Sequence, residues 1–107
     1  MVLSTSFMRS VLFKQKKFTL DMGISTQTFL QLLEEQNKLE YSLNSGRLRF
    51  SFADKSVLLV LGEEGVRSFG AARLPTLPMH FDFLDLTDLE QASFMKLFLL
   101  KFQRGGG

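Results

Sequence analysis

Cysteine and tryptophan are both absent from this 107-residue chain, and histidine occurs once. Without cysteine the chain has no disulfide framework, no thiol nucleophile and no thiolate metal site, and nothing in its composition argues for an oxidising compartment. We therefore expect a cytoplasmic protein. A single histidine also leaves too few soft ligands for a structural zinc, so neither a metal nor a cofactor is predicted.

Long apolar runs are also missing. The longest, residues 57–61, is far shorter than the roughly 20 residues that a membrane-spanning helix needs. The first nine residues lack the cationic start and the apolar core of a secretory signal. We predict neither membrane spanning nor secretion.

The chain is instead rich in phenylalanine, with twelve against one tyrosine. Apolar residues make up 45% and charged residues 22%, close to globular averages, so we expect a folded chain whose rings lie inside. At this length one core is expected. The formal net charge is only +2, so the placement of the basic residues matters more than their number.

Alternation and turn residues predict the first elements. Phe18, Leu20 and Met22 alternate with polar residues, which is typical of a half-buried strand. After Gly23, Ser25 or Thr26 is expected to cap a helix that reaches about Lys38. Strands at 39–43 and 48–52 around the Asn-Ser-Gly turn form the clearest hairpin, and the aliphatic residues 57–61 predict a central strand.

The second half is less regular. Residues 66–69 predict a weak strand, and Pro75 and Pro78 favour an edge or a linker. A last strand is expected over 79–83, followed by a capping box of Thr87 and Glu90. The final helix should run to about Gln103, with Gly105 as its stop.

These elements predict an α+β fold. We expect a two-layer sandwich in which a curved antiparallel sheet of about five strands carries two helices on one face, in the order β-α-β-β-β-β-α. The predicted organisation is a tail or edge segment at 1–10, one domain at 11–104 and a flexible glycine end at 105–107. In order of elements alone this resembles the helix-grip arrangement of the TATA-binding-protein-like and START-like folds, a likeness that implies no function.

Two features predict a binding surface. Lys17, Arg47 and Arg49 alternate with apolar residues that face the core, so the opposite, open side of the sheet should be basic. The strand at 57–61 is apolar on both sides, so one set of its residues needs a cover other than the helices. The candidate binding residues are Lys17, Arg47, Arg49, Val57, Leu59, Leu61, Arg67 and Arg73.

The sequence supports a catalytic or metal site less well than a binding surface. His80 and Asp82 lie two apart on one strand and share a face, which is compatible with a His–Asp pair, but no nucleophile motif accompanies them. An acidic cluster at the entry to the last helix does not match an EF-hand and is explained by helix capping: Asp82, Asp85, Asp88 and Glu90. No catalytic residue is assigned.

The leading hypothesis is a non-enzymatic interaction module that presents a mixed aliphatic and basic sheet face. Its partner would be a protein, a second copy of the chain, or an apolar or anionic ligand. One alternative is a nucleic-acid-binding domain that uses the basic strands, although aromatic residues for base stacking lie on the core side. The other is an enzyme built on His80 and Asp82.

Overall fold

The computed structural model describes residues 15–102, and these form one antiparallel sheet with two helices. The predicted α+β sandwich is confirmed, and the sheet has six strands where about five were expected. In chain order the elements are β1 (Lys17–Met22), α1 (Thr26–Glu35), β2 (Glu40–Asn44), β3 (Arg47–Phe52), β4 (Lys55–Leu61), β5 (Gly65–Phe69), β6 (Ala72–Asp82) and α2 (Asp88–Phe102).

The strands lie in the order β1-β6-β4-β3-β2, and β5 pairs only with the first half of β6. The long β6 therefore has two parts. Residues 79–82 lie between β1 and β4 in the main sheet, whereas residues 72–76 pair with β5. We call the hairpin formed by residues 65–76 the arm.

Three two-residue turns connect the hairpins, and each contains left-handed backbone. Ser45 and Gly46 have φ of 52° and 78°, and Ala53 and Asp54 have φ of 53° and 60°. Two consecutive positive φ values match the type I′ turn that the right-handed twist of hairpins favours. At the tip of the arm only the first turn residue, Gly70, has a positive φ, as in a type II′ turn.

The expectation that Pro75 and Pro78 mark an edge or linker holds in part. Both lie inside β6 and not in a linker, but among the described strands the segment around Pro75 pairs with β5 alone and is an edge. The carbonyl of Pro78 accepts a hydrogen bond from Gly62 N, so its missing N–H faces the break between β4 and β5. Backbone groups alternate in direction along a strand, so those of Pro75 face the other side. There β1 has already ended, at the pair Met22 and Leu77. Neither proline therefore removes a hydrogen bond of the sheet.

The helices cover one face of the sheet and build a core of phenylalanine rings. Phe94 and Phe98 of α2 contact Phe50 of β3, and Phe29 of α1 contacts Phe98. All four rings are fully buried. The expectation that the rings lie inside is therefore met for these four, whereas Phe69 of β5 is 56% exposed.

The helix ends follow side-chain hydrogen bonds. The Ser25 hydroxyl accepts from Thr28 N and begins α1. The Thr87–Glu90 capping box is present, with Glu90 N donating to Thr87 Oγ1 over 3.1 Å and Thr87 N donating to Glu90 Oε1 over 3.0 Å. The end of α1 is earlier than predicted, at Glu35 rather than Lys38. The Gln36 side-chain oxygen there accepts from the backbone N–H groups of Lys38 and Leu39 and holds them outside the helix.

The predicted segment at 1–10, the helix end at Gln103, the stop at Gly105 and the glycine end at 105–107 lie outside the described residues. Neither of the two described helices has the length and apolar character that crossing a bilayer requires.

Candidate functional site

The side of the sheet away from the helices forms a continuous surface, which we call the open face. Directly paired residues of antiparallel strands point to the same side, so the register defines its rows. One row is Lys17, Asp82, Leu58, Arg49 and Ser42, and the next is Thr19, His80, Val60, Arg47 and Asn44. The open face therefore combines basic and aliphatic side chains with Asp82, and the same alternation places Asp21 of β1 and Glu40 of β2 on it.

Within the described part of the chain, the arginines of the open face form no ion pair with an acidic residue. Arg47 and Arg49 are exposed. Across the ladder they lie opposite Asn44 and Ser42 on one side and Val60 and Leu58 on the other. Within residues 15–102 the ion pairs are Lys16–Asp88, Lys17–Asp82 and Lys55–Glu90, and none of them includes an arginine. Both guanidinium groups are therefore available to an anionic partner.

The aliphatic part of the predicted surface is corrected. Val57 and Leu59 are fully buried, and Leu61 is half-buried against the same core, so these three face the helices. The aliphatic residues on the open face are Leu58, which is half-buried, and Val60, which is exposed. The prediction that one set of residues in this strand lies away from the helices holds, but the set chosen was the wrong one.

His80 lies on the open face, but not in a His–Asp pair. Its Nδ1 is 2.7 Å from Thr19 Oγ1, the residue directly opposite it on β1. Asp82 is instead opposite Lys17, with Lys17 Nζ 4.0 Å from Asp82 Oδ2. The other carboxylate oxygen, Oδ1, is buried without a hydrogen-bond partner in the described chain. No contact that would orient the imidazole for base chemistry joins these two side chains among the hydrogen bonds of residues 15–102.

Arg67 and Arg73 lie on the arm rather than in the main sheet. The register places Arg67 beside Leu74 and on the same side as Phe69, whereas Arg73 shares the other side with Val66. All five side chains are exposed. The predicted basic residues therefore divide into two groups, one on the open face and one on the arm.

Lysine side chains form hydrogen bonds with the acidic cluster at the start of α2. Lys16 Nζ donates to Leu86 O over 2.8 Å, to Asp88 Oδ1 over 3.1 Å and to Gln91 Oε1 over 3.1 Å. Lys55 Nζ donates to Glu90 Oε1 over 2.8 Å, and this bond lowers the pKa of Glu90. In the described part of the chain no three histidine or acidic side chains gather into a group that could hold a metal ion.

The space between the sheet and α2 contains aromatic rings in mutual contact. The Phe81 ring is 5.1 Å from that of Phe98, and the Phe83 ring is 5.6 Å from that of Phe94. Phe50 closes the group at 5.4 Å from Phe94. These side chains fill the interior beneath α2.

A hydrogen bond to α1 anchors the base of the arm. Glu64 lies in the connection from β4 to β5, and its Oε1 accepts from Thr26 N, at the start of α1, over 2.6 Å. This bond lowers the pKa of Glu64. The adjacent Gly62 lies close against the sheet, because a Cβ there would be 3.0 Å from the Pro78 Cβ and 3.3 Å from the His80 Nε2.

Comparisons with protein-family models, with curated proteins and with solved structures find no match for this chain. The resemblance to the helix-grip arrangement therefore remains one of element order.

Sequence reasoning missed three parts of this surface. It did not choose Leu58 and Val60, because residues 57–61 are apolar at every position and their pattern does not show which set is buried. It did not pair Thr19 with His80, because the local sequence does not show which residues of two strands lie opposite each other. The projection of the arm was missed because the prolines indicated a break where the strand continues.

Proposed function

We propose that this chain is a non-enzymatic interaction module whose open face binds an acidic segment of a protein partner. The observation that supports this most directly is the pair Arg47 and Arg49, exposed, without ion-pair partners in the described chain, and flanked by Leu58 and Val60. Arginine is enriched at protein interfaces because its planar group binds carboxylates through two parallel hydrogen bonds. The neighbouring aliphatic residues supply apolar contact area.

A protein partner fits this face better than nucleic acid. Single-stranded nucleic acid is bound by aromatic side chains on which the bases stack, together with a dense positive charge. The rows of the open face contain no aromatic ring other than His80, since their neighbours Phe50 and Phe81 are buried on the helix side. A net charge of +2 also supplies little long-range attraction to a polyanion.

The enzyme reading gains no support from the surroundings of His80. Its Nδ1 is engaged by Thr19, a neutral hydroxyl, rather than by a carboxylate that would stabilise an imidazolium. Asp82 is beside Lys17. His80 fits better as a polar member of the binding face.

The test uses a synthetic peptide of alternating glutamate and leucine, labelled for fluorescence anisotropy, against the full chain. The variant is Arg47→Glu with Arg49→Glu. The matched control is Lys38→Glu with Lys96→Glu, which changes the net charge equally at two exposed lysines away from the rows of the open face. We expect the arginine variant to weaken binding at least about tenfold, because interface arginines commonly contribute more than about 1 kcal/mol. The lysine control should bind like the unaltered chain.

Two further probes, a basic peptide and an oligonucleotide, complete the experiment. A lysine–leucine peptide of the same length should not bind, and a single-stranded oligonucleotide should bind more weakly than the acidic peptide. If the oligonucleotide binds more tightly, with a steep salt dependence that Arg47→Glu and Arg49→Glu abolish, the nucleic-acid alternative replaces this proposal. Equal losses in the arginine variant and the lysine control would reduce the effect to net charge and refute a specific face.

A further inference from the structure

The arm extends from the main sheet with little support of its own. Among the elements of residues 15–102, β6 is the only one with which β5 makes an extensive contact. Three large apolar side chains on it are exposed: Val66 by 62%, Phe69 by 56% and Leu74 by 46%. An isolated two-stranded hairpin is at best marginally stable in water, so an arm of this kind gains stability from a further strand or a packed face. Its exposed apolar side chains and its unpaired strand edge within the described residues indicate that something docks there.

The turns define which backbone groups of β5 are free. A two-residue turn closes with a hydrogen bond between its flanking residues, here Phe69 and Ala72. Since backbone groups alternate in direction, Gly65, Arg67 and Phe69 face β6. The N–H and C=O groups of Val66 and Ser68 then point outward from the free edge of β5.

The same argument applies to β2, the edge strand at the other end of the sheet. Its turn closes between Asn44 and Arg47, so Asn44, Ser42 and Glu40 face β3. Leu61 N donates to Gly46 O, which confirms this alternation on β3, because Gly46 faces β4 and Arg47 therefore faces β2. The backbone groups of Tyr41 and Leu43 point outward, and the Leu43 side chain is 45% exposed.

Charge distinguishes β2 from the other free edge as a docking site for the arm. Residues 65–76 contain Arg67 and Arg73 and no acidic residue. The β2 edge begins at Glu40, shortly after Glu34 and Glu35 at the end of α1. Lys38 is the one basic residue in this stretch, and none of the three glutamates has an ion-pair partner in the described chain. The opposite edge, β1, begins at Lys17, directly after Lys16, and contains one acidic residue, Asp21. The cationic arm is thus complementary to the β2 edge and not to the start of β1.

We propose that the free edge of β5 pairs antiparallel with the free edge of β2 in a second copy of this chain. The register that joins the outward backbone groups places Val66 opposite Leu43 and Ser68 opposite Tyr41. The two exposed apolar side chains then meet on one side of the joined sheet. On the other side Arg67 lies opposite Ser42 and diagonal to Glu40, within reach of a long side chain. Each copy supplies one arm and one edge.

This arrangement removes two exposed strand edges together, which are the features that natural sheets otherwise protect. The contact is heterologous, because an arm meets an edge and not another arm. A mixture of two different variants can therefore restore an association that each has lost, and a symmetric arm-to-arm contact lacks that property.

The test is the weight-average mass of the full chain by sedimentation, over a hundredfold range of concentration. We expect the mass to rise above that of the monomer with concentration. Val66→Lys and Leu43→Lys should each weaken association at least tenfold. The control Leu89→Lys makes the same change at a leucine that is 80% exposed on α2, and it should associate like the unaltered chain.

Two further measurements make the contact specific. An equal mixture of the Val66→Lys and Leu43→Lys chains should recover association, because the arm of the second fits the edge of the first. Arg67→Glu should weaken association, and Arg67→Glu combined with Glu40→Arg should restore it. Circular dichroism verifies that each variant is folded. A monomer at every concentration, or a mixture that fails to recover, would overturn the proposal, and neither outcome bears on peptide binding by the open face.

Discussion

Phe98 joins the two helices to the sheet, and its removal is the strongest test of the fold. The side chain is fully buried. Its ring contacts five others at centroid distances of 4.7 to 6.2 Å: Phe29, Phe50, Phe81, Phe94 and Phe102. Phe98→Ala removes the ring contacts with the helices and with the sheet at the same time. Because neighbouring rings are held by their own elements, the space left behind collapses only in part.

The expected loss in free energy of unfolding is about 3–5 kcal/mol, the range for a buried phenylalanine truncated to alanine. For a domain of this size that lowers the Tm by roughly 12–40 °C, at about 4–8 °C per kcal/mol. Total stability is typically about 5–15 kcal/mol, so a loss of this size can leave the alanine variant largely unfolded. Phe98→Leu is therefore measured as well, and it should lower the free energy of unfolding by roughly 1–2 kcal/mol.

The assay is urea unfolding followed by far-UV circular dichroism. The matched control is Phe69→Ala, which removes the same ring from an arm position that is 56% exposed and should change stability by less than about 1 kcal/mol. If Phe98→Ala costs no more than Phe69→Ala, Phe98 does not lie in the core described here and the packing of α2 on the sheet is wrong.

Two further predictions concern the backbone and the base of the arm. Ala53 has a φ of 53°, a conformation that costs alanine about 1–2 kcal/mol and asparagine less, so Ala53→Asn should raise the free energy of unfolding by about 0.5–1 kcal/mol in the same urea assay. A loss of stability would contradict the left-handed turn. The Thr26 N–H bond lowers the pKa of Glu64 from its ordinary 4.5. The resulting stabilisation is complete above the unfolded pKa and is lost as pH falls through the folded pKa. Carboxyl NMR should place the pKa of Glu64 below the ordinary 4.5, and Glu64→Gln should flatten the acid limb of stability. A Glu64 pKa at or above the ordinary value would refute the contact.

Local sequence patterns were sufficient to predict most of the helices and strands. The alternation around Phe18 and Leu20 and the capping box of Thr87 and Glu90 are written within a few residues, and both predictions are confirmed. The end of α1 was misjudged, because the Gln36 side chain replaces the next turn of helix with its own hydrogen bonds. The continuation of β6 through its two prolines was not predicted, because their tolerance depends on where β1 ends and β4 breaks, which is information from distant parts of the chain.

The candidate surface was only partly predictable for a related reason. Arg47 and Arg49 alternate with strongly apolar residues, so their side of the sheet could be assigned. Residues 57–61 are apolar at every position, so period-two patterning cannot identify the buried set. That choice is made by pairing with β3, which places Leu59 opposite Leu48 and Leu58 opposite Arg49. The charged Arg49 on the adjacent strand therefore identifies the exposed side of the aliphatic strand, which the pattern of residues 57–61 does not show.

The two proposed surfaces are compatible because they use different directions of the same sheet. The arm-to-edge contact forms through backbone groups in the plane of the sheet, whereas Arg47 and Arg49 project from the open face. Pairing between copies would therefore place two open faces in one assembly and leave their arginines accessible. A partner with two acidic segments would then bind more tightly than a partner with one, by effective concentration and without any new contact. On this reasoning Leu43→Lys should reduce the affinity for a tandem acidic peptide and leave the affinity for a single segment unchanged.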